Sequence, residues 1–282
     1  MPRVSVIIPC YNQGAFIVEA VNSVIAQTFT DWEIIIVNDG STENETNEFL
    51  EQYEPPKSFY FKTENKGVSA ARNFAISKAT GEYIFPLDAD DYIAPDYLLQ
   101  AVEKLDNYTD LKLVYCNGEY IGDLSGPINL KNFSMRGILK QNLIFCTALY
   151  RKKDWAAVGK YDETFRTGWE DWEFWLRLID RENEVCKLGD VLFFYRIKKA
   201  SRNASLKKEL LVEVEHQLFK KHLNKYLTYF PLPISTIRDN ENLKVEILNF
   251  ENVKEQIYKT NSYRLGHTIL SPFKWLKNIN VK

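Results

Sequence analysis

Three carboxylates stand together in segment 88–91, which reads Asp-Ala-Asp-Asp and directly follows the apolar run 83–87. If the chain is still extended there, side chains two positions apart point the same way, so Asp88 and Asp90 face one point. Carboxylate oxygens suit Mg²⁺ or Mn²⁺, which usually keep several waters and are held by one or two carboxylates together with substrate phosphates. The segment therefore predicts either a divalent-cation site or an acidic loop in which Asp96 starts the next helix.

The segments around this cluster alternate between strand-like and helix-like patterns. Apolar runs at 4–8 and 33–37 are typical of strands buried on both faces, and further strands are predicted at 58–62 and 83–87. Apolar residues recur at helical spacing over 17–25. This rhythm favours right-handed crossovers and a mostly parallel sheet, in which ligands bind beyond the carboxyl ends of the strands. Those ends carry polar residues, in Pro9-Cys10-Tyr11-Asn12, Asn38-Asp39-Gly40-Ser41 and 88–91.

Local patterns further along the chain predict additional elements. Thr42 and Glu45 are spaced as a capping box for the helix that follows the second strand. The stretch 117–141 contains glycines and has no period, which predicts an irregular region that could cover a site. Beyond it, the pattern predicts a strand at 144–150 and an amphipathic helix at 171–180.

The composition is that of an ordinary globular protein. Of 282 residues, 45% are hydrophobic and 26% charged, which argues against disorder. Lys+Arg 36 against Asp+Glu 38 gives a net charge of -2, so no basic field recruits nucleic acid. The four cysteines are far apart and lie near no histidine cluster, which excludes a zinc motif and indicates a reducing compartment. Because the sequence has no signal peptide and no run of 18 apolar residues, we expect a soluble or peripheral cytoplasmic protein.

The C-terminal part has a different pattern. A domain boundary is predicted near residue 204, followed by helical stretches at 205–229 and about 241–264. The terminal segment Leu265–Lys282 has no acidic residue and carries apolar residues at helical spacing beside lysines. It predicts either a peripheral contact with the inner face of an anionic membrane or a helix packed on the domain.

Five segments together resemble the inverting glycosyltransferases of family 2, which have the GT-A fold. They occur in the family's order and the resemblance covers roughly residues 3–203, whereas the C-terminal part carries no diagnostic motif. The segments are Val4-Ser5-Val6-Ile7-Ile8-Pro9-Cys10-Tyr11-Asn12, Asn38-Asp39-Gly40-Ser41, Asn65-Lys66-Gly67-Val68-Ser69-Ala70-Ala71-Arg72-Asn73, Asp88-Ala89-Asp90-Asp91 and Trp169-Glu170-Asp171-Trp172-Glu173.

The resemblance implies an α/β fold of the GT-A class. This is a Rossmann-like, mostly parallel central sheet flanked by helices, here with a C-terminal helical extension. The glycosyltransferase domain would span 1–204, with a nucleotide-sugar half at about 1–116 and an acceptor half at about 117–204, and the extension would span 205–282.

The implied reaction moves a hexosyl or N-acetylhexosaminyl group from a nucleotide-diphosphate sugar, UDP- or dTDP-linked, to a hydroxyl of a glycan or lipid-linked acceptor, in cell-surface polysaccharide synthesis. The implied cofactor is Mn²⁺ or Mg²⁺, held by Asp90 and Asp88, which would neutralise charge on the departing diphosphate. The implied general base is Asp171, because the acceptor hydroxyl must lose its proton as it attacks. Glu170 is the alternative base and, with Trp169, is expected to contact the acceptor.

The resemblance also implies a nucleotide-binding set. Asp39 lies where the family reads the base, since a carboxylate can accept the N3–H of uracil or thymine. The set is Pro9, Tyr11, Glu19, Asp39, Lys66, Arg72, Asp88 and Ala89. The alternatives are helix capping for Asp39, a solvated surface position for Lys66 and core packing for Tyr11.

One segment departs from the family pattern. Many relatives have a histidine after the last strand, where this chain reads Tyr195-Arg196-Ile197-Lys198-Lys199. A protonated lysine cannot ligate a metal, but it can hold a diphosphate as a point charge. We therefore predict that Lys198 or Lys199 contacts phosphate and that the metal has fewer protein ligands; the alternative is a solvated basic loop.

Other classes fit the sequence less well. A nucleotidyltransferase normally needs a Gly-rich basic loop after the first strand, but 9–14 has one glycine and no cation. Phosphatases of the haloacid-dehalogenase type place Asp-x-Asp beside the first strand rather than after the fourth. A non-catalytic sugar-nucleotide or partner-binding module is the main alternative, because fold does not fix function. The presence of Asp39, Asp88, Asp90 and Asp171 together favours an active transferase.

Overall fold

The computed structural model describes residues 1–166, 168–198 and 208–230, together with scattered positions between 238 and 259. The chain divides into two compact units, 1–223 and 224–282, and the boundary predicted at 204 stays a prediction. The segment Leu265–Lys282 lies outside the described residues. None of the helices in the described ranges is long and apolar enough to cross a membrane.

A mixed sheet forms the centre of the first unit. Its strands are β1 (Val4–Cys10), β2 (Trp32–Asp39), β3 (Ser58–Thr63), β4 (Tyr83–Pro86), β5 (Tyr92–Ile93), β6 (Leu113–Gly122), β7 (Gly126–Pro127), β8 (Leu149–Arg151) and β9 (Val185–Ile197). The strand order is β3-β2-β1-β4-β8-β6-β9-β5, with β7 paired to β6. Strands β1 to β4 pair in parallel, whereas β8 is antiparallel to both β4 and β6. The predicted α/β class is confirmed, and the division into a nucleotide-sugar half and an acceptor half stays a prediction.

Helices alternate with the strands along the chain, and the last two follow the final strand. They are α1 (Ile17–Ile25), α2 (Asn44–Gln52), α3 (Val68–Lys78), α4 (Tyr97–Asn107), α5 (Met135–Ile138), α6 (Lys152–Ala157), α7 (Glu170–Leu178), α8 (Lys208–Lys221) and α9 (Leu223–Tyr229), with a 3₁₀ turn at Glu182–Glu184. All residues of β1 and β2 are buried. The apolar face of α1, which includes Ile17, Val21 and Val24, joins the same core. The continuous apolar runs thus form strands buried on both faces, as predicted.

The capping box predicted at Thr42 and Glu45 is not formed. Helix α2 begins at Asn44, and its N-cap residue, Glu43, makes no side-chain cap bond. Thr42 instead donates its backbone N–H to Asn12 Oδ1 at 2.8 Å, and its hydroxyl accepts from Asn12 Nδ2 at 2.9 Å. A long-range contact has displaced the local one, and it ties the loop after β2 to the loop after β1.

The region 117–141 is more regular than predicted. Strand β6 continues to Gly122 because its partner β9 runs beside it to Ile197. Helix α5 follows, and its N-cap Ser134 accepts a hydrogen bond from the backbone of Gly137. Conversely, the strand predicted at 144–150 is reduced to the three residues of β8.

One buried carboxylate fastens α8 to α7. Glu173 of α7 is fully buried and accepts two hydrogen bonds from Arg177, at 2.8 and 2.7 Å. It also lies 2.9 Å from Lys221 Nζ and 3.1 Å from His222 Nε2. Burial opposes its ionisation, but His222, Arg177 and Lys221 outweigh burial and lower the pKa of Glu173 to about 2. The helix that carries Asp171 is therefore held from the C-terminal side.

Asn73 joins α3 to the loop after α6. Its Oδ1 accepts hydrogen bonds from Tyr161 N at 2.9 Å and Trp155 Nε1 at 3.2 Å. Its Nδ2 donates to Tyr161 O at 2.9 Å and Glu163 Oε1 at 3.0 Å. All four bonding positions of the amide are used, so Asn73, although part of a family segment, acts here as a structural clamp.

Replacing Asn73 by Ala should destabilise the fold by about 2–4 kcal/mol, because it leaves buried partners of the amide without hydrogen bonds. Urea unfolding followed by tryptophan fluorescence measures the loss. The matched control is Ser77→Ala on the same helix, since Ser77 is exposed and its hydroxyl donates to Phe74 O, one turn earlier in the same helix. Equal stabilities of the two variants would contradict the clamp.

Candidate active site

The acidic segment forms a turn and not an extended strand. Strand β4 ends at Pro86, and Asp91 N donates to Asp88 O at 3.1 Å. The extended chain on which the alternation of Asp88 and Asp90 was based is therefore absent, and their joint role in binding a cation stays a prediction. A backbone hydrogen bond closes the turn, and each carboxylate has a different partner.

Asp88 is bound to a buried arginine. Arg72, on α3, is 1% exposed and donates Nη2 to Asp88 Oδ1 at 2.7 Å. Its Nη1 donates to Glu170 Oε1 at 2.9 Å, and the Cys146 thiol lies 3.5 Å from Asp88 Oδ2. Arg72 thus connects the turn after β4 to the first residue of α7. The predicted contact of Arg72 with the nucleotide and its phosphates stays a prediction.

Asp90 is paired with a lysine from the end of β9. Lys198 Nζ lies 2.5 Å from Asp90 Oδ2, and Arg196 Nε donates to Asp90 O at 2.8 Å. Lys198, which was predicted to contact phosphate, therefore forms an ion pair with Asp90, which was predicted to bind the metal. Lys199, the alternative phosphate contact, is outside the described residues.

Asp91 is the buried member of the cluster. It is 1% exposed and accepts the N–H of Arg196 on Oδ1 at 2.8 Å, and its Oδ2 has no hydrogen-bond partner within the described ranges. Burial, followed by the charges of Asp90 and Asp88, raises the pKa of Asp91 well above the usual range. Asp91 therefore contributes to the turn more as a packed group than as an exposed ligand.

Asp171 lies at the start of α7. Trp169, in the left-handed region at φ 64, precedes the helix. Asp171 is half-buried, and it accepts hydrogen bonds from Asn142 Nδ2 at 2.9 Å and from Trp172 N at 2.7 Å. Burial and the neighbouring Glu170 charge raise its pKa to about 7, although Arg72 and the hydrogen bonds act in the opposite direction. A carboxylate with this pKa is suited to accept a proton near neutral pH.

Asp39 fixes the loop that precedes α3. Its carboxylate accepts the backbone N–H groups of Lys66 at 3.1 Å and Gly67 at 3.0 Å. Next to it, Gly40 has φ +65, and a Cβ there would lie 2.6 Å from Asn65 N, so glycine is required. A cavity of about 510 Å³ opens here, with Asp39 and Lys66 in its wall. Asp39 thus bonds the loop before α3 and not the N–H groups of the helix itself, and it lies beside space for a ligand.

The remaining predicted residues lie in different surroundings. Pro9 and Ala89 are buried, and Tyr11 is 44% exposed after β1. Glu19 is on α1, where it pairs with Arg196. Trp169 is half-buried, with its ring edge-on to that of Trp172. Glu170 is 3% exposed and pairs with Arg72, and its predicted contact with the acceptor stays a prediction.

Sequence reasoning missed three residues of this site. Arg196 supplies both a backbone and a side-chain contact to the turn. It lies in the segment 195–199 that differs from the family pattern, and this difference was a signal that could have identified it. Asn142 and Cys146 contact Asp171 and Asp88. Asn142 lies just after the aperiodic region 117–141 and Cys146 lies in the strand predicted at 144–150, and no motif marks either residue.

The acidic turn fits a divalent cation of the magnesium type. No group of three or more His, Cys, Asp or Glu side chains that could hold a metal is present in the described part of the chain. Mg²⁺ and Mn²⁺ do not need one, because one or two carboxylates with substrate phosphates suffice. The side chains of Asp88 and Asp90 are 31% and 15% exposed. Asp88 and Asp90 could provide the two carboxylates for a cation once Lys198 leaves Asp90.

Comparison with known proteins identifies the family. The family profile described as "Glycosyl transferase family 2" matches residues 5–164, more than half of the chain. The chain belongs to glycosyltransferase family 2. An uncharacterised glycosyltransferase of Rickettsia typhi is 31% identical over 239 residues, which cover 79% of this chain and 73% of the relative. The chain spans only 25% to 31% of the length of several other curated relatives.

Solved structures agree with the GT-A fold. Staphylococcus aureus TarS 1-349 in complex with UDP-GlcNAc has a TM-score of 0.62 at 22% identity, over 80% of this chain and 73% of that chain. The Pyrobaculum calidifontis mannosyltransferase PcManGT, in complex with GDP-Man and Mn²⁺, has a TM-score of 0.58 at 19% identity, over 96% and 84%. At these identities the likeness concerns the fold alone.

The raised pKa of Asp171 can be measured directly. We expect a carboxyl ¹³C NMR titration to give about 7 for this residue, assigned by the loss of its signal in Asp171→Asn. Glu170→Gln should lower that pKa, because it removes the adjacent negative charge but keeps an oxygen for Arg72. Glu103→Gln, at an exposed position of α4, is the control that should leave it unchanged. A wild-type value near 4 would contradict the described environment of Asp171.

Proposed function

We propose that this protein is a metal-assisted, inverting glycosyltransferase. Its donor would be a nucleotide-diphosphate sugar, UDP- or dTDP-linked, and its acceptor a hydroxyl of a glycan or lipid-linked saccharide. The observation that carries the proposal is the linked pair of acidic groups: Asp88 in the turn after β4 and Asp171 at the start of α7 are joined through Arg72 and Glu170. The proposed donor-side carboxylate and a carboxylate of raised pKa are thereby linked through one buried hydrogen-bonded pair.

In the proposed reaction, Asp171 accepts the proton of the acceptor hydroxyl as the oxygen attacks the anomeric carbon. The bond to the nucleotide diphosphate breaks on the opposite face of the sugar, so the configuration is inverted. Asn142 donates to one oxygen of Asp171 and Trp172 N to the other, which fixes the orientation of the carboxylate. Trp169 would offer a ring edge or face to the acceptor.

On the donor side, Asp39 and Lys66 would contact the nucleoside, beside Pro9 and Tyr11. The cavity wall that Asp39 and Lys66 share supports this assignment. A divalent cation held by Asp88 and Asp90 would neutralise charge on the departing diphosphate. The complex of PcManGT with GDP-Man and Mn²⁺ supports Mn²⁺ as the first ion to test.

The buried pair has a supporting role in this proposal. Arg72 and Glu170 are 1% and 3% exposed, so neither offers its charged group to a ligand in the described structure. Arg72 would orient Asp88, and Glu170 would raise the proton affinity of Asp171. We assign them to positioning, in place of the nucleotide and acceptor contacts predicted from the sequence.

The names of relatives support a role in polysaccharide synthesis, and the complex of TarS with UDP-GlcNAc supports a UDP-linked donor. An Escherichia coli chondroitin synthase is 28% identical over 196 residues, and TarS is described as a poly(ribitol-phosphate) N-acetylglucosaminyltransferase. We therefore propose N-acetylhexosaminyl or hexosyl transfer in polysaccharide synthesis on the cytoplasmic side. A membrane contact of Leu265–Lys282 remains part of this proposal.

A thermal-shift and donor-hydrolysis screen over uridine, thymidine and guanosine diphosphate sugars, with Mn²⁺ or Mg²⁺, tests the class and the donor together.

Asp171→Asn should then lower turnover by about 10²- to 10⁴-fold, the usual contribution of a positioned base, while donor binding survives. Asp110→Asn, at an exposed position, is the matched control. A normal rate in Asp171→Asn would remove this residue from the role of base.

Asp90→Ala should abolish metal-dependent donor binding, because it removes a ligand of the cation. Isothermal titration of nucleotide diphosphate with and without Mn²⁺ measures the effect. Wild-type binding that is equally tight in the presence of a chelator would contradict the metal assignment. No nucleotide binding at all, by a folded wild type, would instead favour a partner-binding module.

A further inference from the structure

The contact between Lys198 and Asp90 gives the turn an internal cation. Lys198 Nζ is 2.5 Å from Asp90 Oδ2, and the two side chains are 27% and 15% exposed. The same ammonium lies over the ring of Phe16, 4.7 Å from its centroid. An ion pair that is largely shielded from solvent is stronger than a surface pair, since screening by water is reduced.

The backbone on both sides holds this pair in place. Two residues before Lys198, Arg196 donates its N–H to Asp91 and its Nε to the carbonyl of Asp90. The guanidinium of Arg196 also lies over Phe16, at 5.2 Å. The end of β9 is thereby fastened to the acidic turn, and Lys198 is delivered to Asp90 by this attachment.

A divalent cation and the ammonium compete for one carboxylate. Magnesium-type ions sit about 2.1 Å from a ligand oxygen, so a cation on Asp90 would be close to an ammonium 2.5 Å from the same group. Like charges at such a separation repel strongly. The ammonium must therefore move before Asp90 can bind a metal, and the oxygens of a diphosphate are a favourable new partner for it.

We propose that Lys198 gates Asp90. Without donor, Lys198 occupies the carboxylate and excludes a divalent cation. When the nucleotide diphosphate binds, Lys198 moves to the phosphate oxygens and Asp90 takes the cation, so cation and donor bind as a pair. This inference rests on the proposed function, and it adds a coupling between the two ligands, which must be reciprocal.

The test compares Mn²⁺ binding in the absence of nucleotide with UDP binding in the presence of Mn²⁺. Electron paramagnetic resonance of free Mn²⁺ measures the first affinity and isothermal titration the second. Lys198→Met should tighten Mn²⁺ alone by about 5- to 150-fold, the range of typical coupling energies, and should weaken UDP in the presence of Mn²⁺. Lys198→Arg retains the charge and should keep Mn²⁺ alone weak.

The matched control is Lys112→Met. Lys112 also forms an ion pair, 3.3 Å from Asp154, but it precedes β6 at the amino end of that strand, and its loss should change neither affinity. Unchanged or weaker binding of Mn²⁺ alone to a folded Lys198→Met would overturn the gate. So would a wild type that binds Mn²⁺ as tightly without UDP as with it.

The two proposals can fail separately. If folded wild type binds none of UDP, dTDP or GDP with Mn²⁺, the proposed function fails. The measurement with Mn²⁺ alone still decides whether Lys198 blocks Asp90. If the wild type binds UDP with Mn²⁺ and Lys198→Met leaves Mn²⁺ affinity as it was, the function stands and the gate is wrong.

Discussion

The buried guanidinium of Arg72 is the constraint on which the site depends. It is 1% exposed and bonded to Asp88 on one side and to Glu170 on the other. A charge removed from water must be compensated, and removal of a partner leaves an uncompensated ion inside the protein. The turn after β4 and the start of α7 therefore cannot move independently of α3. Because α7 is also held through Glu173, the helix that carries Asp171 is fixed at two points.

This constraint lets neighbouring carboxylates have different chemical properties. Asp88 is bound to a buried guanidinium, Asp90 to a partly exposed ammonium, and Asp91 to a backbone N–H inside the core. The pKa of Asp91 is raised chiefly by burial, whereas that of Asp171 is raised to about 7 by burial and by Glu170. All four residues are aspartates, so their surroundings decide how strongly each carboxyl group holds a proton.

The sequence predicts the parts of this arrangement that depend on periodicity and strand ends. The apolar runs of β1 and β2, and the polar residues after them, follow from patterns within a few residues. The local pattern failed where distant contacts intervene. Thr42 forms hydrogen bonds with Asn12 and does not cap the helix that follows it. Asn142 reaches Asp171 across 29 positions, and no single-sequence pattern encodes such a pairing.

The lysine that follows β9 is consistent with the charge balance of the turn. Asp90 cannot remain an isolated carboxylate beside Asp88 and the buried Asp91, because like charges this close oppose one another. A histidine could share a metal with these acids but would be a poor counterion when neutral. Lysine brings a permanent charge and a flexible stem, so it can stabilise Asp90 without a ligand and leave it for a phosphate. Because Lys198 stands where many relatives have a histidine, the charge of Asp90 is balanced by a side chain of the protein itself when no metal is bound.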